Sequence, residues 1–260
     1  MGTVTKALSL LDHFSHQRRE IGLSELARLS GMNKATVFRH LSEMQAQGFV
    51  EQTAAGRLYR LGPGILRLAA LREAAVPMLA VARGMLARLC DSTGETAHFS
   101  IVRGTTLHAL AHEYSPRHAT RVMMEDAETL SFHATASGLS ILAFLPFESV
   151  AALLAPPLQA FTPDTETDPT VLRARLTEIR ATGIAEAVGG FEADVHSHGA
   201  PVFGPDGAPV GALAVAAPTG RMTEALRRAI CAELAECASE MTQKTGGFAP
   251  PGYPEKEPAP

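Results

Sequence analysis

The 260-residue chain lacks any apolar run near the roughly 20 residues that a membrane-spanning helix needs; its longest stretches, such as 137–146, stop well short. No basic start leads into an apolar signal segment, so a cytoplasmic protein without a membrane partner is expected. Cysteine is scarce and scattered, at Cys90, Cys231 and Cys237. That excludes a disulfide framework or a cysteine-rich zinc module and leaves the three as small buried apolar groups. Catalytic signatures are absent too: the chain has no G-x-S-x-G elbow, no phosphate-cradling glycine loop and no H-E-x-x-H pair.

What is present is enough apolar material, 46% of residues, for two modest cores. Charge divides the chain in the same way. Residues 1–75 hold ten Lys/Arg against six Asp/Glu, a formal +4, whereas residues 76–260 hold thirteen against twenty-one, a formal −8. A basic module on an acidic body places any contact with a polyanion in the N-terminal part, because Lys and Arg neutralising phosphates dominate nucleic-acid affinity.

Within that part, Val4, Ala7, Leu8, Leu11 and Phe14 fall at spacings of three and four and predict one helical stripe. The stretch LSELARLSGMNKATVFRHLSEMQAQGFV reads as two helices around a tight turn. Leu26, Ala27 and Leu29 form the inner face of the first helix, and Gly31 supplies the positive backbone angle at its end. Asn33 is placed to cap the second helix, which runs to about Gln47 with Gly48 as its stop. Val37, Leu41 and Met44 should be its buried side, so Lys34, Ala35, Thr36, Arg39 and Ser42 are free to enter a major groove. Two strand-like runs, 49–52 and 57–61, follow around Gly56 as a β-hairpin, with Arg57 and Arg60 available to the DNA backbone or minor groove. The order is that of a winged helix-turn-helix. A helix through Ile65, Leu68 and Leu71 suits a linker that could also pair protomers.

From about residue 76 helices and strands alternate. A first helix runs through Met78, Met85 and Leu89. GETAHFSIVRGTTLHALAHEY reads as two strands, and a helix follows HATASG. Leu172, Leu176 and Ile179 mark another helix, GAPVFGPDGAPVGALAVAAP a hairpin closed at GPDG, and 223–241 a final helix. The fold class expected is α+β: a mostly helical DNA-binding unit with a hairpin wing, then an α/β body similar to a small-molecule-sensing GAF domain. The boundaries expected are 1–62 for the winged helix, 63–75 for the linker helix and 76–245 for the body, with a Pro/Gly-rich disordered tail at 246–260.

LSELARLSGMNKATVFRHLSEMQAQGFVE, RLYRLGPGILRL, GETAHFSIV, FHATASGLSILAFL, LRARLTEIRATGI and APVFGPDGAPVGALAV occur in an order that resembles the IclR family of bacterial transcription regulators, over residues 3 to about 240. The resemblance implies a regulator that binds a double-stranded operator as a homodimer, often as a dimer of dimers, and whose C-terminal domain binds a small-molecule effector with no required cofactor. It also implies that Lys34, Thr36 and Arg39 contact DNA, and that Ala136, Ser137, Val195, Ser197, Ala214 and Ala216 line the effector pocket. A helix beginning at Ala136 suits a carboxylate-bearing metabolite. Family members resembling glyoxylate and pyruvate sensors supply an Asp, a Cys and two Ser where this chain has Ala187, Ser197, Ala214 and Ala216, which points to a larger or less polar effector.

Three features remain open. On a continuous strand Glu192, Asp194, His196 and His198 would share a face, as two imidazoles and two carboxylates that could hold zinc or simply be exposed charges beside a hydrogen-bonded histidine. His98 and His133 read either as polar pocket groups or as structural histidines. Their acid–base capacity keeps one functional alternative, a metal- or metabolite-dependent enzyme fused to a winged helix.

Overall fold

The chain divides into two compact units, residues 1–77 and 78–260. The computed structural model describes residues 2–14, 18–54, 56–75, 77–124, 129–155 and 157–254, with the side chains of 73 and 75 set aside.

The first unit begins with α1 (Thr3–Leu8) and a 3-10 turn at Leu11–His13. The expected stripe is only partly realised. Ser9 Oγ donates to the Lys6 carbonyl at 3.1 Å where α1 ends, Val4 and Leu8 are exposed, and Leu10 is the residue fully buried. Strand β1 (Ile21–Gly22) leads into α2 (Leu23–Ser30) and α3 (Lys34–Ala46). Gly31 closes α2 at φ +66°, and Asn33 Oδ1 caps α3 by accepting from Thr36 N at 2.8 Å. Leu26 and Ala27 pack with Val37, Leu41 and Met44, while Leu29 is half-buried. The wing is β2 (Val50–Gln52) and β3 (Leu58–Leu61), and β3 pairs on its other side with β1, so the sheet has three strands in the order β1-β3-β2. Helix α4 (Pro63–Ala75) follows, with Leu66, Leu68 and Leu71 exposed.

In the second unit, α5 (Met78–Thr93) precedes β4 (Thr96–Arg103), β5 (Thr106–Glu113) and the short β6 (Thr129–Leu130). Then come α6 (Ala136–Leu142), α7 (Phe147–Leu153), α8 (Pro169–Thr182), β7 (Ala185–Val188), β8 (Val195–Phe203), β9 (Pro209–Pro218) and α9 (Glu224–Lys244). The strands form one antiparallel sheet in the order β6-β5-β4-β9-β8-β7. Its two faces bury separate cores. Phe99, Val202, Leu213 and Val215 meet α5 and α9 on one side. Ala109, Ala185, Ala187 and Ala212 meet α6 and α8 on the other, where Leu172, Leu176 and Ile179 are buried as the spacing predicts.

All seven residues of α6 are buried, which requires small residues in the sheet beneath. Gly199 is the tightest such place on β8: a Cβ there would lie 2.8 Å from the Ala136 backbone. Cys90 and Cys237 are buried, and Cys231 is half-buried. The tail expectation is corrected for residues 246–254. Gly247 N donates to Thr242 O at 2.8 Å, and the Tyr253 ring packs 5.2 Å from Phe144 and 5.1 Å from Phe203. Aromatic burial, which composition does not report, holds this segment; residues 255–260 lie outside the described residues.

Candidate functional site

Two surfaces and one cavity carry the functional candidates. In the first unit, burial of Val37, His40, Leu41 and Met44 turns the opposite side of α3 outward. Lys34, Ala35, Arg39 and Ser42 are exposed and Thr36 is half-buried. Phe38, which sequence reasoning did not single out, is 53% exposed on the same helix. Among the described residues neither Lys34 nor Arg39 is in an ion pair, whereas Ser42 Oγ donates to Phe38 O at 2.9 Å. The wing arginines differ from each other. Arg57 is exposed, but Arg60 Nε donates to Glu51 Oε1 at 2.6 Å directly across the β2–β3 ladder, and Glu20 lies 3.7 Å away. Arg60, still half exposed, is thus paired with carboxylates on the wing, an arrangement that the cross-strand register decides.

In the second unit a cavity opens between the sheet and the start of α6. Its volume is about 40 Å³. Of the expected residues, Ala136, Ser137, Val195, Ser197, Ala216 and His98 line it. Ala214 does not: fully buried, it is paired between His98 and Gly199. His133 is also displaced. Its Nε2 donates to Gln159 O at 2.9 Å, so its Nδ1 accepts from Ser131 Oγ at 3.0 Å, and the ring is a structural strut. Val122, Met124, Leu130, Ala134, Thr135, Ala187, Gly190, Phe191 and Glu192 complete the lining. Of these only Ala187 was marked by the resemblance; Leu130 ends the short β6, and the others come from loops whose course periodicity does not report.

Those loops are firmly anchored. Glu95, 2% exposed, receives both Arg221 Nε at 2.5 Å and an Arg221 terminal nitrogen at 2.6 Å, and the same guanidinium donates to Thr120 O at 3.1 Å. Thr96 Oγ1 donates to Val122 O at 2.8 Å, and Tyr114 Oη donates to Met124 O at 3.0 Å. On the opposite wall, Thr162 Oγ1 and Thr165 Oγ1 donate to Gly189 O and Gly190 O at 2.5 and 2.6 Å, fixing the turn that delivers Phe191 and Glu192.

The chemistry of the cavity is apolar with a few polar groups. Its lining includes no Lys or Arg and one carboxylate, Glu192. Thr135 caps α6 by accepting from Gly138 N at 3.0 Å, so that donor is already used. His98 Nε2 meets Ser137 Oγ at 3.1 Å, while its buried Nδ1 has no partner among the described residues. Burial, and secondarily the neighbouring His112, pushes the His98 pKa down to about 4, so the ring is neutral at pH 7.

The segment containing the four expected metal ligands also differs from expectation. Strand β8 begins only at Val195, and residues 189–194 form a turn, so alternation does not extend back to Glu192 and Asp194. Glu192 faces the cavity and Asp194 O accepts from Thr219 N at 2.8 Å. His196 and His198 instead project from the α9 face, where Glu186 of β7 meets them: His196 Nε2 is 2.7 Å and His198 Nε2 3.3 Å from Glu186 Oε1. Desolvation alone would raise the Glu186 pKa, but the hydrogen bond from His196 and the nearby His198 and Arg227 hold it below the usual carboxylate range.

Comparison with known proteins agrees with this architecture. Residues 3–54 match the profile of the IclR helix-turn-helix domain, and residues 72–243 that of the bacterial transcriptional regulator IclR C-terminal domain. A crystal structure assigned as an ICLR transcriptional regulator from Silicibacter sp. TM1040 is 57% identical, with a TM-score of 0.81 over 98% of this chain and 100% of that one. Among curated relatives, the HTH-type transcriptional regulator XynR of Escherichia coli K12 is 27% identical, covering 86% of this chain and 88% of its own. The transcriptional repressor IclR of the same organism is 26% identical, covering 95% and 90%.

Proposed function

The chain belongs to the IclR family of bacterial transcription regulators, and from that premise we propose how its parts divide the work. Helix α3 enters the major groove of an operator with Lys34, Ala35, Thr36, Arg39 and Ser42, and Arg57 of the wing holds a phosphate while Arg60 contributes less. The observation that carries this assignment is the exposed face of α3, where two cations without ion pairs lie opposite the buried Val37, Leu41 and Met44. A homodimer presents two such helices to one operator, and the exposed Leu66, Leu68 and Leu71 of α4 supply apolar surface for pairing. No helix among the described residues is long and apolar enough to cross a membrane. The relatives are regulators, and the enzyme alternative receives no support from them.

The cavity binds a small effector with an apolar body and a carboxylate head. Val122, Met124, Leu130 and Phe191 surround the body; the buried His98 Nδ1 and the hydroxyls of Ser137 and Ser197 meet the head. With no cation in the lining, hydrogen-bond donors carry the recognition of the anion.

Both assignments are tested on the purified full-length protein. Fluorescence titration against DNA upstream of its own gene, beside nonspecific DNA at several salt concentrations, should show a sequence preference. The substitution Arg39→Ala should weaken specific binding by about tenfold with unchanged circular dichroism. Unchanged affinity at moderate salt removes Arg39 from the interface. For the effector, a panel of carboxylates and their uncharged amides is screened by thermal shift, because a ligand of the native state raises Tm. Equal shifts from acids and amides would refute the carboxylate assignment.

A further inference from the structure

We propose that Glu186, His196 and His198 form a binding site for a borderline divalent metal ion, zinc(II) in the first instance, on the face of the sheet opposite the cavity. The three come together by cross-strand register. Glu186 of β7 pairs directly with His198 of β8, and His196 lies two residues back on the same face. One ligand atom from each residue falls within 4.8 Å of the others. Tetrahedral zinc with bonds of about 2.0–2.1 Å needs its ligand atoms about 3.3 Å apart. The spacings from Glu186 Oε1, 2.7 and 3.3 Å, are thus within reach of small side-chain rotations.

Two further observations point to a ligand rather than to simple packing. His198 is only 1% exposed, yet neither of its ring nitrogens is hydrogen-bonded; its Nε2 approaches Glu186 without the alignment a hydrogen bond requires. A buried imidazole with both nitrogens unsatisfied is costly, and a metal on Nε2 would satisfy one of the two. Glu186 and His198 also border an open cleft, lined from α9 by Arg227 and Cys231, which leaves a route for the ion and room for a fourth ligand. Arg227 does not bar a cation, because its guanidinium is held by both Glu224 oxygens at 2.8 Å. Two imidazoles and one carboxylate favour zinc over magnesium or calcium, which prefer all-oxygen shells.

The test uses full-length protein stripped with a chelator and titrated with zinc in competition with a chromophoric chelator. One zinc per chain is expected, and Glu186→Gln and His196→Ala should each weaken binding at least about tenfold. Both positions are partly accessible, so these variants keep the fold, which circular dichroism verifies; His198→Ala is avoided because it empties a buried position. X-ray absorption of the zinc-loaded protein should show two imidazole ligands. No competition at micromolar zinc overturns the proposal, as does unchanged affinity in both variants. Loss of binding only in Cys231→Ser would equally overturn it, by placing the ion on the thiol instead.

Discussion

Lowering the pH from 7 to 5 should destabilise the second unit by a calculable amount through His98 alone. The ring is 5% exposed and its pKa is pushed down to about 4, against about 6.5 for an unfolded histidine. Between those values the unfolded chain binds a proton that the folded one refuses, so stability rises with pH across this window. The contribution is complete above about pH 6.5, falls as pH drops toward 4, and changes no further below that. Integrating the two titrations gives a loss of about 2 kcal/mol between pH 7 and pH 5, and of about 3 kcal/mol by the lower end. Urea unfolding followed by circular dichroism at pH 5, 6 and 7 measures this when wild type is compared with His98→Gln, which keeps a polar group beside Ser137 but cannot titrate. The difference between the two stability curves should steepen by about 2 kcal/mol over that interval. Parallel curves, or an NMR titration of His98 with a midpoint near 6.5, would refute the inference that a neutral imidazole is locked into the cavity wall.

Two further substitutions probe the elements that position the sites. Replacing the cap, Asn33→Ala, frees the Thr36 N–H at the start of α3 and should cost about 1 kcal/mol in thermal unfolding of the first unit, with a matching loss of operator affinity; no change in either would mean water caps the helix equally well. Gly199→Ala would set a methyl 2.8 Å from the Ala136 backbone, and overpacking of this kind should cost about 1–3 kcal/mol in urea unfolding and shift the mouth of the cavity; a neutral result would show that α6 is free to lift off β8.

Much of this protein was legible before any tertiary contact was known, and where it was, the signal was local. A glycine able to adopt φ +66° at Gly31, a side-chain oxygen at Asn33 and apolar residues at helical spacing were sufficient to place α2 and α3. The hairpin of β8 and β9 followed in the same way from GPDG between two Val- and Ala-rich arms. The pocket residues on α6, β8 and β9 came from family resemblance, and most of them do line the cavity. Local signals failed where the deciding partner was distant. Phe144 and Phe203 held a tail that composition marked as disordered, and Glu51 met Arg60 across the wing.

The histidine segment shows the division most plainly. Alternation along a strand determined that His196 and His198 share one face and Ser197 the other, since successive side chains point to opposite sides of a sheet. What alternation could not supply was where β8 begins, or that a two-residue offset would bring Glu186, ten and twelve positions away, beside both rings. Periodicity is a property of neighbours in the chain, so the sequence alone determined the elements and their inner faces. Register is a property of pairing between strands, chosen by the whole sheet at once, and only the tertiary structure decided which carboxylate the histidines would meet.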